Sequence, residues 1–425
     1  MIKLYFKQAL AQLRQQPIIS LVSILGTALA IFLIMLVVMI QQVKVAPFSP
    51  ESNRDRFLHV RFMSITNKEW GGGSSNGPMS VQTAKACFKS LTTPEAVTIY
   101  CVAAITTPAS MPGTPAISID MQQTDDTYWQ VFDFAFVDGK PYDQAAFESG
   151  RPVAVVTESV ARNLFGTTKA AGREFLLNHA PYTVAGVVKD VSALADAAYA
   201  QVWIPYTSTD LAQDTWSDNH MGMMSATILA RDRDDFDAIR EECEKVRLQY
   251  NNLLAENGYE LIYRNRPYDQ EKQAIAYAAN WEPDLSAARR QRVIIFIILL
   301  LVPAINLSSM TQSRLRQRVS EIGVRRAFGS TRTEMIGQIV MENLVVTLLA
   351  GAVGLLFSIL FAYLGNGLLF AQAYSITLNP PECFHSVAAF HFYVCVAFLL
   401  CTQSFKQWFS CLESVTYQYC KCVGR

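Results

Sequence analysis

The sequence predicts an α-helical membrane protein: four transmembrane helices, with a large extracytoplasmic mixed α/β domain between helices 1 and 2. Three observations lead there. Hydrophobic residues make up 51% of the 425-residue chain and charged residues only 17%, against about a quarter charged in soluble proteins. The net charge is zero but unevenly spread: residues 45–285 hold 31 Asp/Glu against 20 Lys/Arg, leaving the rest of the chain 5 against 16 of the 36 of each sign. Four apolar stretches interrupt the basic parts and spare the acidic one.

In chain order, residues 1–15 read as an interfacial amphipathic helix on the inner leaflet. Ile2, Tyr5, Phe6, Ala9, Leu10 and Leu13 share one helical stripe, and Lys3, Lys7 and Arg14 lie off it. Residues 16–44 form the first span. No charge interrupts Arg14 to Lys44, and about 20 residues suffice to cross the hydrocarbon. The run is too long for the core of a signal peptide, and no small-residue cleavage site follows it, so it reads as a retained anchor. The outer domain is 45–285. The second span is 286–311, built on VIIFIILLLVPAINLSSM. Residues 312–339 are basic and helix-prone, with a break at Phe328-Gly329-Ser330 before the chain turns back into the third span, 340–370. An external loop (371–385), a weaker fourth span diluted by His391, Thr402 and Gln403 (386–405), and a Cys-rich tail (406–425) complete the chain.

Orientation follows from the basic residues. Lys3, Lys7, Arg14, Arg314, Arg316, Arg318, Arg325, Arg326, Arg332, Lys406, Lys421 and Arg425 flank the spans on one side; Lys44, Arg289, Arg290 and Arg292 flank them on the other. The bias puts both termini inside. The Arg289–Arg292 cluster opposes it locally and reads as part of a helix rising out of the membrane.

Within the outer domain, TIYCVAAIT, AISIDMQQT, RPVAVVT, EFLLN, YTVAGVVKDV and QVWIPY read as short strands. TESVARNLFG reads as a helix, as does the charged run RDRDDFDAIREECEKVRLQYNNLLAENG, with Phe236, Ile239, Val246 and Leu248 as its apolar stripe. GGGSSNGP, residues 71–78, reads as a flexible loop. The domain is long enough to bury its own core, in two subdomains.

Catalytic signatures are missing. There is no Gly-x-x-x-x-Gly-Lys-Ser/Thr phosphate loop, no Gly-x-Ser-x-Gly elbow and no His-Glu-x-x-His pair; GTTKAAG at 166–172 has the wrong spacing. His59, His179, His220, His385 and His391 are scattered, so no metal and no catalytic residue is expected, and isolated Asp/Glu read as solvated surface. Cys87, Cys101 and Cys243 are the three cysteines of the outer domain, where oxidation could join Cys87 to Cys101. An outer domain of this kind suits binding or force transmission.

One long span, a large outer domain and three further spans resemble the MacB/FtsX-like permeases of type VII ABC transporters. SEIGVRRAFGSTRTEM resembles that family's cytoplasmic coupling segment. KQALAQLRQQPIISLVSILGTALAIFLIML resembles its N-terminal helix and first span, and FAFVDGKPYDQAAFESGRPVAVVTESVARNLFG with YTVAGVVKDV its periplasmic core domain. The resemblance implies an inner-membrane permease, homo- or heterodimeric, in the lipid bilayer, with no nucleic acid partner. The ATP and magnesium would be held by a separate ABC ATPase, since no fused ATPase is expected here. The residues it assigns to the ATPase contact are Glu321, Gly323, Arg325, Arg326, Ala327, Phe328 and Gly329. Export or extraction of a peptide, drug or lipoprotein by mechanotransmission is implied, with a periplasmic adaptor as a further partner. The alternative on the same scaffold is a non-transporting complex that regulates an extracytoplasmic cell-wall hydrolase. A membrane-anchored receptor without an ATPase is the third reading.

The tail departs from the family, whose members end in a fourth span and a basic segment. Reading the chain one nucleotide forward from His391, with the synonymous codon choices that the amino acids allow, recovers both: WFSCLESVTYQYCKCVGR can become a segment containing Ala-Trp-Arg-Ala-Ser-Arg. The tail is therefore expected to be the product of a frameshift, with its cysteines carrying no chemistry; a lineage-specific tail is the alternative. Cys411, Cys420 and Cys422 make a poor zinc pattern.

Overall fold

The computed structural model describes residues 17–317, 323–324, 327–329 and 331–364. The expected helix at 1–15, the loop 371–385, the span 386–405 and the tail 406–425 lie outside the described residues. Two units divide the rest: helices in 17–42 and 287–364, and an α/β unit beginning at Val43 and ending at Ser286.

The first helix, α1 (Pro17–Val43), precedes an outer domain of fourteen strands. In chain order these are β1 (Phe57–Val60), β2 (Met63–Asn67), β3 (Ser74–Gly77), α2 (Val81–Ala84), β4 (Ala96–Cys101), β5 (Ile105–Ser110), β6 (Ile117–Thr124), α3 (Tyr128–Val131), β7 (Phe136–Gly139), α4 (Gln144–Glu148), β8 (Val153–Thr157), α5 (Glu158–Phe165), β9 (Glu174–Leu177), β10 (Ala180–Val188), β11 (Val202–Pro205), β12 (Met224–Leu229), α6 (Phe236–Leu254), β13 (Tyr259–Ile262), β14 (Tyr268–Asp269) and α7 (Gln270–Gln273). Two long helices follow, α8 (Leu285–Gln317) and α9 (Arg332–Leu364).

The helical unit is apolar outside as well as inside. On α1, Leu21, Leu25, Leu29 and Leu33 are exposed while Ala28, Ile31 and Met35 are buried. On α8, Val293, Ile294, Ile297, Ile298, Leu301 and Ile305 are exposed. A helix apolar all round needs an apolar surrounding. Among the described residues two segments are long and apolar enough to cross a membrane, Ser20–Val43 and Asn343–Phe361. Gly354 lets α9 approach α1 closely: a Cβ there would lie 2.8 Å from the Ala28 carbonyl oxygen. Small residues at such crossings allow the backbones to pack, and Phe32 meets Phe361 edge-on nearby, with centroids 5.5 Å apart.

In the outer domain, strands pair in the order β11-β8-β10-β9-β5-β6, and β6 pairs back onto β11. Six strands thus close a circuit, with β8/β10 and β6/β11 parallel and the others antiparallel. Side chains alternate across a strand, and the circuit uses that alternation. Val202 and Ile204 of β11 join Ala154 and Val156 of β8 in one apolar cluster, completed by Val160 and Ala161 of α5. Trp203 and Val155, on the opposite faces, join a second cluster with Tyr128, Phe132 and Tyr142. From β6 the sheet continues through β4, β12, β1 and β14. A separate sheet, β13-β2-β3, shares a third core with α6.

Two expectations need correction. Residues 71–78 are not all loop: Ser74–Gly77 pairs antiparallel with β2, because Met63–Asn67 supplies a template that a Ser/Gly sequence lacks by itself. The buried stripe of α6 is Phe236, Ile239, Cys243, Tyr250 and Leu254, while Leu248 is 52% exposed; the helix turns past it by half a turn. α8 runs on to Gln317 and α9 begins at Arg332. Cys87, Cys101 and Cys243 are buried free thiols. Arg289, Arg290 and Arg292 lie within α8, which begins before them at Leu285.

The tightest backbone approach is between β7 and β10, where Gly139 faces Gly186. Gly139 has φ +66°, and a Cβ on it would stand 2.3 Å from the Ala185 carbonyl oxygen. Gly139→Ala is expected to cost at least about 3 kcal/mol, combining backbone strain with a clash. Gly113→Ala, at φ +79° in open space, should cost only about 1–2 kcal/mol. Thermal unfolding of the two variants compares them; equal losses would show that the clash is relieved.

Candidate functional site

A membrane helix ends with carbonyls that have no partner in the helix itself. At the end of α1 a buried ion pair meets the last of them, that of Val43. Arg54 and Glu51 are each 1% exposed, with Nε donating to Glu51 Oε2 at 2.5 Å. Arg54 Nη1 donates to the carbonyls of Val43 (2.7 Å) and Ala46 (3.0 Å), and Nη2 to that of Leu194 (2.7 Å). The guanidinium lies 4.2 Å over the Phe48 ring. Glu51 Oε1 accepts from the amides of Ala197 and Ala198, both at 2.9 Å. Two charges are thus matched and hydrogen-bonded; removing either alone would strand the other, at a cost of about 3–5 kcal/mol.

A second tie starts one residue on from Val43. The Lys44 carbonyl accepts from Gln270 Nε2 at 2.8 Å. Gln270 Oε1 sits 2.7 Å from His59 Nε2, and His59 Nδ1 lies 3.3 Å from Thr227 Oγ1. Thr227 in turn meets the Tyr100 hydroxyl at 2.8 Å. Since Gln270 Oε1 can only accept, His59 Nε2 carries the proton in the neutral ring. Burial pushes the His59 pKa down to about 4, with the Gln270 bond acting in the opposite sense. A narrow polar cleft opens beside this chain, lined by His59, Arg61, Tyr100, Asp196 and Gln270, with Arg61 paired to Asp196 at 3.0 Å.

The sequence-assigned ATPase contact falls at the turn between α8 and α9. Gly323, Val324 and Ala327 are helical, and Phe328–Gly329 form the turn. Gly329 has φ +93°, a conformation that favours glycine, and the Phe328 amide donates back to the Val324 carbonyl at 3.2 Å. Phe328 is 89% exposed and Val324 58%, so the turn presents apolar side chains to its surroundings. Glu321, Arg325 and Arg326 lie outside the described residues.

Sequence reasoning missed the buried polar groups altogether. Glu51, Arg54, Asp120 and Asp125 are all buried, where the sequence suggested solvated surface. Asp125 is held by Lys89 at 2.7 Å, the Thr98 hydroxyl at 2.6 Å and the Ile99 amide at 3.0 Å. Asp190 accepts from the Ser159 amide at 3.0 Å in the first turn of α5, a structural task. Among the described residues no three His, Cys, Asp or Glu side chains gather closely enough to hold a metal.

Comparison with known proteins gives the class. Residues 20–246 match the MacB-like periplasmic core domain, and residues 293–409 match the FtsX-like permease C-terminal domain. A macrolide export ATP-binding/permease protein MacB of Burkholderia cenocepacia is 26% identical over 250 residues, 58% of this chain and 33% of that protein. The uncharacterized ABC transporter permease YknZ of Bacillus subtilis is 22% identical over 237 residues, 54% of each. Against the solved periplasmic region of MacB from Actinobacillus actinomycetemcomitans the TM-score is 0.33, at 16% identity over 48% of this chain and 88% of that one. The aligned region thus spans about a third of the length of the MacB relative and about half that of YknZ. The chain is a membrane permease with a MacB-like α/β domain outside the membrane. It belongs to the MacB/FtsX-like family of ABC transporter permeases, a family of the inner membrane.

The buried His59 makes a pH dependence. Unfolded, a histidine titrates near 6.5; folded, this one titrates near 4. Between those values the unfolded chain binds the extra proton, so stability falls as pH drops from 6.5 toward 4. The full loss is about 3 kcal/mol. His59→Gln should flatten that part of the profile, read as the unfolding midpoint of the outer domain against pH. An unchanged profile would move the effect to another group.

Proposed function

We propose that this chain is the permease subunit of an ATP-driven transporter. In this reading it works as a homo- or heterodimer in the bacterial inner membrane with a separate ABC ATPase, which holds the ATP and magnesium. Four spans place both termini in the cytoplasm and the α/β domain in the periplasm. ATPase motion enters at the turn between α8 and α9 and is passed outward to the α/β domain, which acts on a substrate such as a peptide, drug or lipoprotein, alone or with a periplasmic adaptor. Family membership supports the transporter class. The observation that carries the coupling role is the exposed Phe328 on a glycine-ended turn within a basic segment. An exposed apolar side chain in a segment whose sequence is basic suits a partner groove edged with carboxylates.

Arg325→Glu/Arg326→Glu should reduce co-purification of the ATPase at least about tenfold, equivalent to about 1.4 kcal/mol, without changing the amount of permease in the membrane. Phe328→Ala should weaken it by a similar factor. Undiminished association in both variants would remove this turn from the contact. The domain boundaries 312–339 and 386–405, and the frameshift reading of 406–425, belong to the same proposal. Resequencing codons 375–425 tests the last of these: a changed base count that restores Ala-Trp-Arg-Ala-Ser-Arg in frame is the expected result, and confirmation of the recorded bases refutes it.

A further inference from the structure

Resting on that transporter reading, we infer that Arg54, Glu51, Gln270 and His59 are positioning residues: together they clamp the chain leaving α1 to the strands of the outer domain, so that the domain follows that chain when it moves. The clamp has two jaws on adjacent residues. Arg54 holds the carbonyls of Val43 and Ala46, and Gln270 holds that of Lys44.

Each jaw is anchored in a different part of the sheet. Through Leu194 and, by way of Glu51, through Ala197 and Ala198, the first jaw grips the loop that leads into β11. The Gln201 amide bonds the Asp120 carbonyl at 2.8 Å at the start of that strand, and β11 is where the six-strand circuit closes on β6. The second jaw runs from Gln270 to His59 on β1 and on to Thr227 on β12. Gln270 lies on the last stretch of the outer domain before α8, so its bond joins the first residues of that domain to a segment near its end.

The composition suits transmission better than it suits stability. An apolar filling usually stabilises a core as well as a buried ion pair does. What the pair adds is direction: a guanidinium fork fixes its carbonyl partners in angle as well as distance. The intervening stretch is stiff as well. Residues 43–54 contain Pro47 and Pro50 and no glycine, and proline fixes φ. Fixed φ at two positions limits how far a displacement of Val43 is absorbed before it reaches Arg54.

The test uses the full chain with its ATPase subunit in lipid nanodiscs, comparing amide hydrogen exchange with and without ATP, magnesium and vanadate. In the wild type, nucleotide trapping should change exchange at residues 194–198 at least about fivefold, a shift of about 1 kcal/mol in local opening. Glu51→Met/Arg54→Met fills the same space with apolar atoms. It should keep ATPase association and ATP turnover while abolishing that change, at a lowered unfolding midpoint, because the carbonyls of Val43, Ala46 and Leu194 and the amides of Ala197 and Ala198 lose their partners. Should the double variant fail to fold, Gln270→Met, at a half-buried position, serves instead and should weaken the response at β1 and β12. A full nucleotide response in a folded variant overturns the clamp. A wild type that binds and hydrolyses ATP without any response in the outer domain overturns the transmission reading, and the clamp with it.

Discussion

The last carbonyls of a membrane helix must find donors once the helix stops, and much of this domain's architecture follows from how that demand is met. In water they would be solvated at no structural consequence. Here that of Val43 is enclosed, and its donor is a guanidinium that must itself be neutralised. Burying Arg54 requires Glu51, and Glu51 in turn requires donors for its second oxygen, which the Ala197 and Ala198 amides provide. One unsatisfied helix end thus fixes the conformation of a loop more than a hundred residues away in sequence. That chain of necessity explains why so polar a cluster stays buried in a domain whose other cores are built from Val, Ile and aromatic residues.

Closure of the strand circuit supplies the stiffness that such a junction needs. An open sheet can flex at its edges; a ring of six paired strands has none within itself. The aromatic cluster braces one side of it: Trp203 meets Phe134 at 5.1 Å and Trp129 at 6.2 Å between centroids, and Trp129 meets Tyr142 at 5.3 Å. These edge-on contacts favour particular angles, so strand β11 is held in position and orientation. The β13-β2-β3 sheet, with its Ser/Gly-rich outer strand, is built on a different principle and shares its core with α6.

Much of the fold was legible because it rests on long apolar runs. A stretch without charge from Arg14 to Lys44 leaves little choice of structure, and β8, β10 and β11 announce themselves through Val, Ile and Trp. What was hidden depended on partners far away in sequence. Residues 74–77 have no strand propensity and pair only because β2 lies alongside. The stripe of α6 was misplaced beyond Ile239 because Cys243 and Tyr250, not the more apolar Leu248, face the core. The stretch PFSPESNRDR has the composition of a solvated loop; nothing local marks Glu51 and Arg54 as buried. The two prolines without a glycine were the one available hint. At the turn between α8 and α9, by contrast, glycine and basic residues sufficed to locate the candidate contact, though not the degree to which Phe328 stands out.

The length of α9 has its own consequence. Thirty-three residues in one helix reach about 50 Å, whereas the hydrocarbon of a bilayer is about 30 Å thick. No charge follows Glu342 within the helix, so the surplus, roughly three turns of rod, lies at the Arg332 end, ahead of the apolar segment Asn343–Phe361. A rod is sensitive to phase rather than to composition. Each inserted or deleted residue would swing everything beyond it by about 100° and shift it by about 1.5 Å. Exchange of one side chain for another on its outer face would leave both quantities untouched. The residue count of those three turns should therefore stay fixed over evolutionary time.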